Sequence, residues 1–254
     1  MKTSKSRVIA VTGKGGTGKT ALVALMVKIL GRDNRVKLLA VDADSAISLP
    51  QTLGMKADKT VSDIRQEIIE NPEARSKLAD THIRTVIGSI LKQKEGINLL
   101  VMGRPEGPGC FCSINDLLKY GIETLSRDFA VTIVDGEAGP EQINRRVLEN
   151  VDTLIIVADA SIRSMQTANS IRQIAQIGEA AKFAKIGLVI NRMTEKKKAI
   201  VQAAQQTDLK ILGYIPEDEN ITKYDLAGEP ILKLPNASPS VIAVEGILRE
   251  IGLG

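Results

Sequence analysis

The chain has 254 residues, 43% hydrophobic and 25% charged, which are the proportions of an ordinary globular protein and exclude a disordered tail or a collagen-like repeat. Thirty-four Lys and Arg against 30 Asp and Glu leave a net charge of +4, a slim excess over a long chain. The one basic cluster, Lys196-Lys197-Lys198, reads as a solvated helix face rather than a nucleic-acid footprint, and aromatics at 2% leave few platforms for stacking bases.

At the amino terminus an apolar run of only four residues, Val8–Val11, follows the first basic residues, where an export signal needs about 7–15. No stretch approaches the roughly 18 apolar residues of a membrane span. Two cysteines are too few for a disulfide framework, so the expected home is a reducing cytoplasm, with no membrane and no nucleic acid as partner.

Seven short apolar runs follow along the chain: 8–11, 38–41, 99–102, 131–134, 154–157, 186–190 and 212–215. They are apolar throughout rather than alternating, as strands buried on both faces are. Amphipathic stretches fill the gaps at about 20–30, 60–71, 81–94, 114–127, 141–149, 163–180, 195–206 and 238–251. Such alternation predicts an α/β fold, a doubly wound and mostly parallel sheet with helices on both faces. No linker, repeat or low-complexity tract interrupts it, so residues 1–254 read as a single domain with a helical insertion at about 55–95.

Directly after the first run comes Gly13-Lys14-Gly15-Gly16-Thr17-Gly18-Lys19-Thr20, which fits G-x-x-x-x-G-K-[ST] between a predicted strand and a predicted helix. Glycines let the backbone wrap a phosphate and aim its N–H groups inward, and the helix N-terminus adds a positive dipole. Lys19 would reach the β- and γ-phosphates of ATP or ADP, and the Thr20 hydroxyl would ligate Mg. Asp42 and Asp44 end the second predicted strand, and Asp135 ends the fourth before a Gly136–Gly139 loop. That is the sheet edge where α/β proteins bind ligands. Asp135 suits a Mg-bound water, and Gly139 suits a switch that senses the γ-phosphate.

Lys14 in this setting resembles the deviant phosphate loop of the MinD/nitrogenase-iron-protein group of dimeric ATPases. The stretches Gly103–Cys112, Asp135–Gly139 and Asn144-Arg145-Arg146 leading into Val151-Asp152-Thr153 are similar to those of the CooC-type ATPases. Those proteins mature the nickel centres of carbon monoxide dehydrogenase and acetyl-CoA synthase. The resemblance implies a slow, client-stimulated ATPase that forms an ATP-dependent homodimer with Lys14 reaching the partner's nucleotide. It also implies Asp44 on the attacking water, Asp42 near Mg, and Ala21 in the phosphate site. Asn191, Arg192, Pro216 and Glu217 would hold the adenine. Ala21 departs from the Thr usual there, Gln142 replaces a common His, and Ser45-Ala46 lacks an Asp-Pro step.

Cys110 and Cys112 sit in a Gly/Pro loop before Ser113-Ile114-Asn115-Asp116, which resembles a capping box opening a helix. Thiols at a helix N-terminus have lowered pKa values and ligate metals more readily. Two thiolates leave a tetrahedral site half filled, and a two-fold dimer would supply the other two, making a bridging soft-metal site suited to Zn, Cu(I) or an Fe–S cluster, with Ni implied by the resemblance. An inert pair of small core cysteines is the plainer alternative. His82 reads as a surface residue, with nothing nearby to complete a site. Besides a pure metal store whose nucleotide acts only as a dimer clamp, two rival functions stay open. One is an electron-transfer ATPase with a bridging iron–sulfur cluster, like the nitrogenase iron protein. The other is a MinD/ParA-type positioning ATPase, although 240–251 carries one Arg against two Glu and reads as a core-facing helix.

Overall fold

The computed structural model describes residues 6–71, 82–104, 112–140, 151–177, 183–193 and 197–254. Its strands are β1 (Arg7–Gly13), β2 (Leu38–Asp42), β3 (Lys92–Lys94), β4 (Ile97–Val101), β5 (Val131–Ala138), β6 (Thr153–Asp159), β7 (Lys185–Met193) and β8 (Lys210–Pro216). They form one sheet in the order β3-β4-β2-β5-β1-β6-β7-β8, parallel throughout except for the β3–β4 pair. All seven predicted strands are present with ends that differ by up to four residues, and Met102 of the third run lies just past its strand. The described helices are α1 (Lys19–Leu30), α2 (Leu49–Thr52), α3 (Val61–Glu70), α4 (Ile83–Ser89), α5 (Cys112–Leu125), α6 (Ile162–Ile177), α7 (Lys197–Gln205), α8 (Glu219–Leu226) and α9 (Pro239–Glu250).

Side chains alternate across each strand, so the sheet feeds two cores. Val8 and Ala10 of β1 join Ile114 and Leu118 of α5 and Met165 and Ile171 of α6 on one face. Ile9 and Val11 join Leu22, Val23 and Leu25 of α1 and Val241, Val244 and Ile247 of α9 on the other. Helix α1 is buried almost all round because it lies between the sheet, α9 and the 3₁₀ turn Ile231–Lys233.

One expectation needs correction. The helix predicted over 81–94 stops at Ser89, and Lys92–Lys94 turns back as β3 through Glu95-Gly96, both at positive φ (50° and 80°). That is the left-handed pair a two-residue hairpin requires, so the segment expected as a helical insertion ends in strand. The short α2 and the polar α8 lie where no helix is predicted. The predicted helix over 141–149 falls outside the described residues.

The carboxy-terminal elements are tied back by two charged groups. The Arg7 guanidinium donates to the carbonyls of Ile251 and Gly252, both at 2.7 Å, at the end of α9. Asp218 serves two helix starts at once. Its carboxylate accepts from the Asn220 amide at 3.0 Å in α8, and from the Ser240 amide at 3.0 Å and hydroxyl at 2.5 Å in α9. Burial pushes this carboxyl up, but the Ser240 and Asn220 donors outweigh it and hold the group below its ordinary value of 3.8. Asp218→Ala is therefore expected to cost about 1–3 kcal/mol at pH 7. A depressed carboxyl contributes stability that is present above its unfolded value and lost as pH falls through the folded one. Thermal melts from pH 7 to 3 should show the gap to wild type closing below about pH 4.

Candidate nucleotide-binding site

The loop joining β1 to α1 takes its shape from glycine and from one asparagine. Gly13 has φ 150°, and a Cβ there would meet the Val157 carbonyl oxygen at 2.2 Å, so the strand can pass β6 this closely only without a side chain. Gly18, at φ 89°, caps α1 in a left-handed conformation, and a Cβ there would strike the Asn191 amide nitrogen at 2.3 Å. That nitrogen donates to the Thr17 carbonyl at 2.8 Å, and the Thr17 hydroxyl donates to the Lys14 carbonyl at 2.8 Å. Asn191 thus reaches across from β7 to brace the loop from outside.

The loop after β5 is laced to the same point. The Gly139 amide donates to the Gly13 carbonyl at 3.0 Å, and the Thr12 hydroxyl donates to the Gly139 carbonyl at 2.9 Å. Gly139 has φ 86°, a position open to glycine, so a displacement of this loop is felt at the end of β1.

Two carboxylates stand beside the loop in matching register, Asp42 on β2 against Asp135 on β5. Asp42 is fully buried. Its oxygens accept from the Asp44 amide at 3.1 Å and the Leu49 amide at 3.0 Å, and so hold the 43–48 turn in place. Within that turn Ile47 is left-handed at φ 53°, an unusual state for a β-branched residue. Burial pushes the Asp42 carboxyl up to about 6, against the pull of its two amide donors. Asp135 is 1% exposed, and neither of its oxygens has a hydrogen-bond partner. Burial raises it to about 7, aided by the charges of Asp42 and Asp44. The Thr20 hydroxyl and Lys19 ammonium lie near enough to favour the ionised form, though neither makes a well-formed bond to it. An orphaned, buried carboxylate beside a hydroxyl and a phosphate loop fits a hard divalent cation such as Mg.

The phosphate loop and Asp44 open onto a cleft of about 600 Å³, and Asp42 and Asp135 lie buried outside its lining. Gly15, Gly16, Gly18, Lys19, Thr20 and Ala21 form its floor, with Asp44 at the side. Among the described residues the Lys14 ammonium makes no hydrogen bond or ion pair. Arg192, at φ 53°, lines the same cleft. Pro216 ends β8, and Glu217 lines a separate hollow of about 450 Å³ with Asp218 and Thr222. Sequence reasoning missed the cleft's two walls, the Ile47–Thr52 segment with α2 and the Ile221–Ile231 segment with α8. Neither wall has a motif, and only the positive-φ Gly228 signalled a turn there.

The model of the CobQ/CobB/MinD/ParA nucleotide binding domain matches residues 8–231. The chain belongs to that family. An uncharacterized ATP-binding protein of Methanocaldococcus jannaschii is 40% identical over 96% of this chain and 98% of its own. The carbon monoxide dehydrogenase accessory protein CooC of Rhodospirillum rubrum is 32% identical over 87% of each chain. The septum site-determining protein MinD of Pyrococcus horikoshii, solved with Mg-ADP, superposes with a TM-score of 0.71 at 22% identity, covering 97% of this chain and 96% of that one. That likeness shows the fold, and nucleotide and Mg binding are typical of the CobQ/CobB/MinD/ParA family.

Cys110 lies outside the described residues, as does the side chain of Cys112 at the first position of α5, two residues before the start at 114 that the capping tetrad predicts. Among the described residues no three His, Cys, Asp or Glu side chains gather as metal ligands. His82 precedes α4 as an exposed residue with no side-chain cap.

Because Asp135 takes up a proton on folding between its unfolded value of 3.8 and about 7, its burial costs stability that grows with pH across that window. Asp135→Asn should stabilise the nucleotide-free protein at pH 8 by about 2 kcal/mol after discounting for relaxation and water entry, with little gain at pH 4. The same variant should lose the stabilisation that Mg and ATP together confer on wild type. Thermal melts at both pH values, with and without MgATP, test both halves.

Proposed function

We propose that this protein is a Mg-dependent ATPase that uses nucleotide to control its own pairing, and that it serves nickel-centre maturation in the manner of the CooC-type ATPases. The observation that carries the nucleotide half is the orphaned Asp135 carboxylate, buried behind Thr20 and Lys19, which themselves line a cleft large enough for a nucleotide. Identity of 32% to the Rhodospirillum rubrum accessory protein supports the maturation half, together with the Cys110-Phe111-Cys112 spacing.

In this reading Lys19, the amides of Gly13–Thr20 and the backbone at Ala21 hold the phosphates. Thr20 and Asp135 hold Mg, with Asp42 fixing the neighbouring turn and adding negative charge. Mg supplies charge neutralisation at the phosphates when bound. Asp44 orients the attacking water, Asn191 and Arg192 flank the base side with Pro216 and Glu217 beyond, and Lys14 is free to reach the partner's nucleotide. ATP shifts the population toward the closed dimer only through contacts it gains there. Four thiolates, Cys110 and Cys112 of each protomer, would then hold nickel or zinc between the subunits. Hydrolysis reopens the dimer and releases the cargo to a carbon monoxide dehydrogenase or acetyl-CoA synthase in the cytoplasm.

A positioning ATPase that works on a membrane surface needs an amphipathic helix free to lie there. Helix α9 instead spends Val241, Val244, Ile247 and Leu248 in the core, which supports the maturation reading. No described helix is long and apolar enough to cross a membrane.

Anaerobic metal analysis of wild type and of the Cys110→Ala/Cys112→Ala pair, with and without a non-hydrolysable ATP analogue, tests the proposal. About half a nickel or zinc per chain, lost in the double variant, is the expected result. About two irons per chain would replace it with an iron–sulfur electron-transfer role, and no metal under any condition would remove the maturation half. Lys14→Ala should abolish ATP-dependent dimerisation while leaving monomer affinity for nucleotide within a few fold. Sedimentation of that variant as a full dimer with ATP would overturn the role given to Lys14.

A further inference from the structure

Strands β1 and β5 run side by side toward the phosphate loop and fall out of step just before it. Val11 pairs with Asp135 but Gly13 pairs with Ala138, so two steps along β1 span three along β5. The extra residue makes a bulge between Asp135 and Ala138, a feature that bends a strand and loosens its ladder. Thr12 lies opposite that bulge and is buried. Its hydroxyl has one proton and faces two carbonyls, Gly139 at 2.9 Å and Glu137 at 3.3 Å.

Beyond the bulge one rung closes the ladder, the Gly139 amide donating to the Gly13 carbonyl at 3.0 Å. While that bond stands, the amide has nothing to offer a ligand. Gly13 cannot yield, because it runs so close to β6 that a Cβ would meet the Val157 carbonyl oxygen at 2.2 Å. Gly139 has room to move. Among the described residues beyond its chain neighbours, no heavy atom lies within 4 Å of where a Cβ on it would stand. The same loop borders the nucleotide cleft. Ala138 lines it, with its Cβ 3.8 Å from the place a Cβ on Gly15 would take.

Resting on the nucleotide-binding reading above, we infer that Thr12 is a positioning residue that latches this loop in its nucleotide-free place and so restrains the response to ATP. The Thr12 hydroxyl grips the carbonyl of Gly139 while Gly13 grips its amide, and the two bonds support each other. Both must open before the amide can turn toward a third phosphate. ADP lacks that phosphate and leaves the latch shut. A ligand shifts the loop only by what it gains in the displaced position. Each bond that favours the rest position therefore subtracts from affinity for ATP and not from affinity for ADP.

The test combines amide hydrogen exchange at Gly139 in the nucleotide-free protein with equilibrium binding of ADP and of a non-hydrolysable ATP analogue, each with Mg. Thr12→Val keeps the side chain's shape and removes the hydroxyl. It should speed exchange at Gly139 and tighten the ATP analogue by about fivefold, the size of one neutral hydrogen bond, with ADP unchanged. Thr12→Ser keeps the hydroxyl and should match wild type in all three measurements. Thermal melts verify that the variants fold, and Thr12→Ala takes the place of the valine variant if that one does not. Unchanged exchange at Gly139 in Thr12→Val, a shift of both nucleotides together, or a serine variant that behaves like valine overturns the latch while leaving the ATPase reading intact. Failure of wild type to bind either nucleotide overturns both.

Discussion

Asp42 and Asp135 face each other across adjacent parallel strands, both shut off from water, and two carboxylates so placed resist ionising together. Burial alone pushes the pair toward neutrality, and only one member has been given backbone donors to oppose it. The result is a division of labour. Asp42 spends its oxygens organising the turn that leads to Asp44, whereas Asp135 is left with both oxygens unanswered. Such a group costs stability in the empty protein and is rewarded when positive charge arrives, so ligand affinity and apo stability are set against each other at one residue.

Around that pair the architecture is arranged to keep the cleft stiff on one side and open on the other. The floor is braced by Asn191 from β7, which acts at Thr17 just before α1, and by the Gly139 link after β5, which acts on the end of β1. The walls, in contrast, are a four-residue helix and a helix without a buried side chain.

Much of this could be read from the sequence because its chemistry is local. The phosphate loop is a contiguous motif, and strands buried on both faces announce themselves as runs of Val, Ile and Leu. Asp42 and Asp135 could be placed at one sheet edge because each directly ends such a run. The walls escaped notice for the opposite reason. Residues 47–52 and 221–231 have no shared pattern, and they meet only because α1, α9 and the 3₁₀ turn bring them together. Glu217, carried over by position, lines a hollow next to the cleft. At β3 the apolar Ile90-Leu91 pair prolonged a helical reading past Ser89, although Glu95-Gly96 held the hairpin signal a few residues later.

That small strand has a further bearing on how the molecule behaves in a crowded solution. Every open sheet leaves a margin of unpaired amides and carbonyls that could recruit another chain. Here the margin beyond β4 is closed by only three residues, Lys92-Gln93-Lys94, running against the grain of the sheet. Its two lysines are secured to Asp58 and to the Gly54 carbonyl. A strand so short, so charged and of reversed direction offers a poor template for extension, and the sheet is insulated from aggregation at that border.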